Sequence, residues 1–247
     1  MGQHVLLNNV DHHDLRLITE PGASLGDAVN QALIFPSEYQ EIQRHYPIFF
    51  RQVEGGGLKS VALLGFDRDE NLFLEGDRWG AAYVPAMHRV GPFLIGQPQA
   101  APGQTLPDNA EAMILVDSDH VRISRDRGQP LFLAHGGNSP LLTHITQLLQ
   151  QVYAGAQVGD RMFAAFYEAG LLAPVEINVQ IDGGQSFLLK DMLTISREAL
   201  HGLKGTQLQA LNQAGFLGLA FDVVSSMGNL GHMITLKTNR NAALAPA

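Results

Sequence analysis

Hydrophobic and polar positions alternate most cleanly over residues 173–189, APVEINVQIDGGQSFLL. Val175, Ile177, Val179 and Ile181 interleave with Glu176, Asn178 and Gln180, the period of two that a strand with one buried face requires. Asp182-Gly183-Gly184 supplies the positive φ of a tight reversal, and residues 186–189 begin the return strand. The pattern predicts a β-hairpin over 173–190, with flanking helices covering its apolar face.

Upstream, short apolar runs separated by polar turns predict further strands. Residues 5–7 and 15–18 are two such runs, joined by the polar stretch 8–14. Residues 32–35 are apolar and stop at Pro36. Ser37 is placed to cap a short helix over 38–44, which His45-Tyr46-Pro47 ends because the residue before proline avoids the helical region. Residues 47–52, 60–66 and 71–74, separated by Glu54-Gly55-Gly56-Gly57 and by 67–70, predict an antiparallel meander. Residues 97–109 (QPQAAPGQTLPDN) read as a long surface loop inside one β-rich unit, with a domain linker as the alternative; residues 113–116 resume a strand.

From residue 138 the period changes to that of a helix. Ser139-Pro140 is a cap followed by proline in the first turn, and Leu141, Leu142, Ile145, Leu148, Leu149 and Val152 follow at helical spacing. Gly155 is expected to close this helix. A second helix runs from Asp160 to Gly170 and buries Met162, Phe163 and Phe166. Beyond the hairpin, two short helices are capped by Ser196 and Thr206. Residues 216–236 read as one helix interrupted by glycines, and 238–247 as a frayed tail. The class is α+β: a β-rich antiparallel first half and a mixed second half in which helices pack the hairpin. A single domain over 1–247 is expected, divisible into sub-units 1–135 and 136–247.

Composition narrows the function classes. The chain is 45% hydrophobic and 16% charged, values of a folded globular protein. With 16 basic against 24 acidic residues the net charge is -8, and no run of Lys or Arg offers a footprint for nucleic acid or anionic lipid. The absence of cysteine removes disulfides, thiolate metal sites and a cysteine nucleophile. Residues 1–9 lack the apolar core of a signal peptide, and no apolar run approaches the roughly 20 residues of a membrane span. A cytoplasmic protein without a transmembrane segment is the default expectation.

Three stretches carry candidate chemistry. In Asp11-His12-His13-Asp14, with His4 nearby, His12 and Asp14 have the local spacing of a histidine and carboxylate on one metal, as in non-haem iron oxygenases. His120, His135 or His232 would complete such a site; the competing reading is a solvated turn between strands. Asp117, Asp119 and His120 follow a strand and serve either as cation ligands or as a turn. Gly136, Gly137 and Asn138 precede a helix and offer an anion-binding loop, or a loop and cap, without the P-loop lysine. No G-x-S-x-G elbow occurs. Trp79 and Tyr83, with Tyr46, Phe49, Phe50, Phe73 and Phe93, line either a ligand groove or the core.

Several phrases together resemble the SapC family of bacterial proteins: HVLLNNVDHHDLR (4–16), HYPIFFR (45–51), VALLGF with NLFLEGDRWGAAYVPAMHRVGPFLIG (61–96), and LTISREAL (193–200). The resemblance runs over essentially the whole chain. It implies a link to bacterial surface layers, from which the family takes its name. It also implies the company of outer-membrane receptors and of halogenase-like and cupin-like proteins. No catalytic residue set comes with it. The expectation is a non-catalytic soluble binding or accessory protein, or a surface-layer-associated one, that needs no cofactor and acts through a protein partner; a homodimer is compatible with it. The alternative is a metal-dependent, non-haem iron oxygenase-like enzyme holding Fe(II) at His12 and Asp14.

Overall fold

Two hydrophobic cores organise the chain, which is described here from a computed structural model covering residues 4–96, 113–181 and 185–244. In chain order the first elements are β1 (His4–Leu6), β2 (Arg16–Leu17), β3 (Gln31–Ile34), α1 (Tyr39–Ile42), β4 (Ile48–Gln52) and β5 (Leu58–Leu63). β6 (Leu74–Glu75), β7 (Arg78–Trp79), α2 (Ala86–Val90), β8 (Phe93–Gly96), β9 (Met113–Asp117), β10 (Ile123–Ser124) and β11 (Gln129–Pro130) follow. The remainder comprises α3 (Pro140–Glu168), β12 (Leu172–Ile181), β13 (Gln185–Ile195), α4 (Arg197–Gly202), α5 (Gly205–Gln213), α6 (Phe216–Ser226) and α7 (Asn229–Leu244). The sheets are antiparallel throughout, so the fold is α+β. The expected reversal at Asp182-Gly183-Gly184 and the loop 97–109 lie outside the described residues.

Two compact units share these elements. Unit 1 is Met1–Glu20 with Ala86–Ala154, and unit 2 is Pro21–Pro85 with Gly155–Ala247. In unit 1, β1, β9 and β8 form one sheet, and β10, β2 and β11 a second. The cross-strand row Val5–Val116–Phe93 lies on the inner face of the first, with Val116 and Phe93 fully buried. Leu142, Ile145, Leu148 and Leu149, at helical spacing on α3, close this core together with Leu15, Leu17, Leu131 and Phe132.

In unit 2 a five-stranded sheet has the order β12-β13-β4-β5-β3. Phe50 of β4 meets the rings of Phe163 and Phe166 from α3 at 5.1 and 6.2 Å. The alternation read along 175–181 is observed, with Val179 and Ile181 buried and Glu176, Asn178 and Gln180 exposed. The hairpin is longer than 173–190, because β13 runs on to Ile195 to pair with β4 through Leu193↔Phe50.

Several local expectations are corrected by packing. α3 is continuous through Gly155. A Cβ at Gly155 would lie 2.8 Å from both Phe35 Cβ and Ser37 Oγ, so the glycine serves close approach rather than termination. Strands 5–7 and 15–18 exist but do not pair with each other, since β1 joins β9 and β2 joins β10 and β11. The third strand beside β4 and β5 is β3, whereas Leu74 turns back to pair with Trp79. Ser37 lies inside the one-turn helix Pro36–Glu38, whose entry is held by Phe35 N–H donating to Glu38 Oε1 at 3.0 Å. Lys204, not Thr206, is the N-cap residue of α5. Residues 216–236 divide into α6 and α7, and the expected frayed tail is helical as far as Leu244. Ser139 and Ser196 do cap: their hydroxyls accept from Leu142 N–H at 3.2 Å and Ala199 N–H at 3.1 Å.

Candidate functional site

The His/Asp cluster forms a self-bonded turn in unit 1. Asn8 Oδ1 accepts the amides of Val10 and Asp11 at 3.0 and 2.9 Å, and Asn8 Nδ2 donates to Asp11 Oδ2 at 3.0 Å. Asn8 N–H donates to His12 Nδ1 at 3.1 Å, which places the imidazole hydrogen on Nε2. Asp14 is ion-paired with Arg125. That hydrogen bond, against a smaller opposing effect of desolvation, holds the Asp14 carboxyl below its ordinary value. Asp11 and His12, with Ser118, Ser124 and Arg125, line the polar side of a cleft of about 410 Å³.

The other candidate ligands have local roles too. His120 Nδ1 accepts from Arg122 N–H at 3.2 Å, and Asp117 Oδ1 from Asp119 N–H at 3.2 Å, both turn contacts. His135 is exposed, and His232, in unit 2, lies 6.2 Å from the Phe73 ring. Among the described residues, no three His, Asp or Glu side chains come together as a metal-holding group. Gly136 and Gly137 sit at φ 85° and 87° in a closed turn, where Gly136 N–H donates to Leu133 O and Leu133 N–H to Gly137 O, each at 3.0 Å. Asn138 bridges to Phe132, and the turn delivers Ser139 to its capping position.

Trp79 is buried in unit 2. Its Nε1–H donates to Tyr46 Oη at 2.7 Å, Tyr46 donates to the Tyr83 carbonyl at 2.6 Å, and Tyr83 Oη donates to Glu38 Oε2 at 3.0 Å. Burial raises the Tyr46 phenol well above its ordinary range, so it serves as a neutral hydrogen-bonding group. Tyr46, Phe49, Phe50, Phe73 and Trp79 belong to the core of unit 2, Tyr83 packs against it, and Phe93 belongs to the core of unit 1.

A different surface stands out, and its signal was present in the chain. The strands of the first sheet carry the runs VL (5–6), FLI (93–95) and ILV (114–116), apolar on both faces rather than alternating. Among the described residues, the core of unit 1 lies on one face. On the other, the register aligns Leu6, Leu115 and Leu94 in one row, with Leu6 48% and Leu94 41% exposed and Leu115 half-buried. His4 and Asp117 are paired at one end of the face. Of the large apolar side chains exposed among the described residues, Leu6, Val10, Leu94, Val121, Leu133 and Tyr153 belong to unit 1. Tyr167, Leu188, Leu208 and Phe221 belong to the larger unit 2.

In comparison with known proteins, the family model SapC matches residues 7–233. No curated protein and no solved structure matches the chain. No helix among the described residues is long and apolar enough to cross a membrane.

Proposed function

The chain belongs to the SapC family, and from that premise we propose that it is a non-catalytic accessory protein that works by binding a protein partner through unit 1. The observation carrying this reading is the row Leu6–Leu115–Leu94, apolar and partly or largely exposed on a face whose polar residues, His4 and Asp117, stand at one end. A three-strand row spans roughly 10 Å at the usual strand spacing. A patch of that size suits a weak or transient interface better than an obligate one. The occupant is therefore a protein presenting an apolar strip, with charges placed to meet His4 and Asp117 at its end. The bonding of His12, Asp117 and His120 within their own turns, and the pairing of Asp14 with Arg125, support a binding role over a catalytic one.

The test is affinity capture with wild-type protein and with Leu6→Lys/Leu94→Lys, after confirming that both melt at the same temperature. Expected, after chemical crosslinking to retain a transient complex, is one discrete protein enriched by the wild type and lost with the double variant. Recovery of the same proteins by both, or of none by the wild type, overturns the reading.

A further inference from the structure

Two buried side-chain polar atoms among the described residues lack a hydrogen-bond partner, Arg51 Nε and Thr194 Oγ1. They are neighbours. Arg51 and Thr194 each stand one residue from the Phe50↔Leu193 bridge, so both side chains project from the opposite face of the sheet and lie diagonal to one another. Across β4 and β5, Arg51 stands directly opposite Lys59. Among the described residues, neither basic side chain has an ion pair or hydrogen-bond partner. Lys59 is exposed while Arg51 and Thr194 are half-buried, so the group opens to solvent at the lysine.

Like charges directly opposite one another on adjacent strands destabilise a sheet, and an unpaired buried donor adds to that cost. Both penalties fall on one patch of a protein whose net charge is -8. An oxyanion placed there would remove both at once. It would accept from the planar Arg51 fork and from the Thr194 hydroxyl, with the Lys59 ammonium at the mouth.

We propose that Arg51, Lys59 and Thr194 form a binding site for a small oxyanion, the carboxylate or phosphate group of a ligand. The site lies wholly in unit 2 and stands independently of the partner-binding face of unit 1.

The test is thermal unfolding in sodium phosphate, sodium acetate and sodium chloride at matched ionic strength, followed by calorimetric titration with the active anion. Phosphate or acetate is expected to raise Tm saturably beyond chloride. A response to phosphate alone assigns a phosphoryl group, and a response to acetate assigns a carboxylate. Arg51→Gln should weaken binding roughly tenfold, as expected for loss of a charge-assisted hydrogen bond. Thr194→Val should abolish the response without lowering Tm in chloride, because the hydroxyl has no protein partner to lose. Lys59→Gln, at an exposed position, should weaken binding in a protein whose fold is undisturbed. Equal behaviour in all three salts, or a response that survives Thr194→Val and Lys59→Gln, overturns the site.

Discussion

Asp14 and Asp191 are aspartates whose surroundings give them opposite effects on stability. The Arg125 hydrogen bond holds the folded Asp14 carboxyl below its unfolded value. The linked contribution is therefore present above the unfolded value and is lost as pH falls through the folded one. The pair is exposed and added salt weakens it. A carbon-detected NMR titration should show a low midpoint at Asp14 that returns to the ordinary aspartate range in Arg125→Gln; an unmoved midpoint contradicts the pairing. Asp191 has φ 59° inside β13, at the bulge where Val175↔Met192 gives way to Ile177↔Leu189. A side chain in this left-handed region is strained, so Asp191→Gly should stabilise the protein by about 1 kcal/mol in urea unfolding. Asp191→Val should destabilise it. Equal midpoints would show that the bulge relaxes around any residue.

At the scale of elements, α3 contains two glycines whose replacement should have opposite effects. Alanine in a helix interior is favoured over glycine by about 1 kcal/mol. A Cβ at Gly159 meets nothing within 4 Å, so Gly159→Ala should raise the urea midpoint. A Cβ at Gly155 would lie 2.8 Å from Phe35 Cβ and Ser37 Oγ, so Gly155→Ala should lower it despite the same helical gain. Two changes of the same sign would contradict this account. The pair also marks where sequence reading stops. The caps Ser139 and Ser196 were legible because capping is settled within four residues. The strand at 173–181 was legible because alternation is local. Gly155 was misread because its reason, the side chains of Phe35 and Ser37, is far away along the chain. The partners of β1 and β2 were likewise beyond reach, since a strand's pattern states its faces and not its neighbour. Of the candidate site, the His/Asp turn was legible as polar, but its bonds were not. The Leu6–Leu115–Leu94 row was written in the apolar runs, yet such runs describe a covered strand equally well.

Across the whole molecule, long-range pairing decides the outcome near the C-terminus, where residues 238–247 read as a frayed tail. Lys237 on α7 pairs with Glu70 at 2.6 Å, with the two side chains only 10% and 11% exposed, and it lies 4.9 Å from the centre of the Phe187 ring. One turn on, Arg240 donates to the carbonyls of Asn71, Leu72 and Leu74 at 3.0, 3.3 and 3.0 Å. Glu70 itself accepts from Phe66 N–H at 3.1 Å. The last helix thus ties residues 66–74 to the hairpin, joining parts of the chain more than a hundred residues apart. Breaking a buried pair from one side strands the other charge and costs about 3 kcal/mol, whereas removing both charges costs much less. Glu70→Gln and Lys237→Met should each lower stability by that order. The double variant should fall well short of the sum, with the coupling read from a double-mutant cycle in urea. Strictly additive losses would mean that the pair contributes only packing, and the helix would then owe its position to Arg240 and to Met233, which is fully buried.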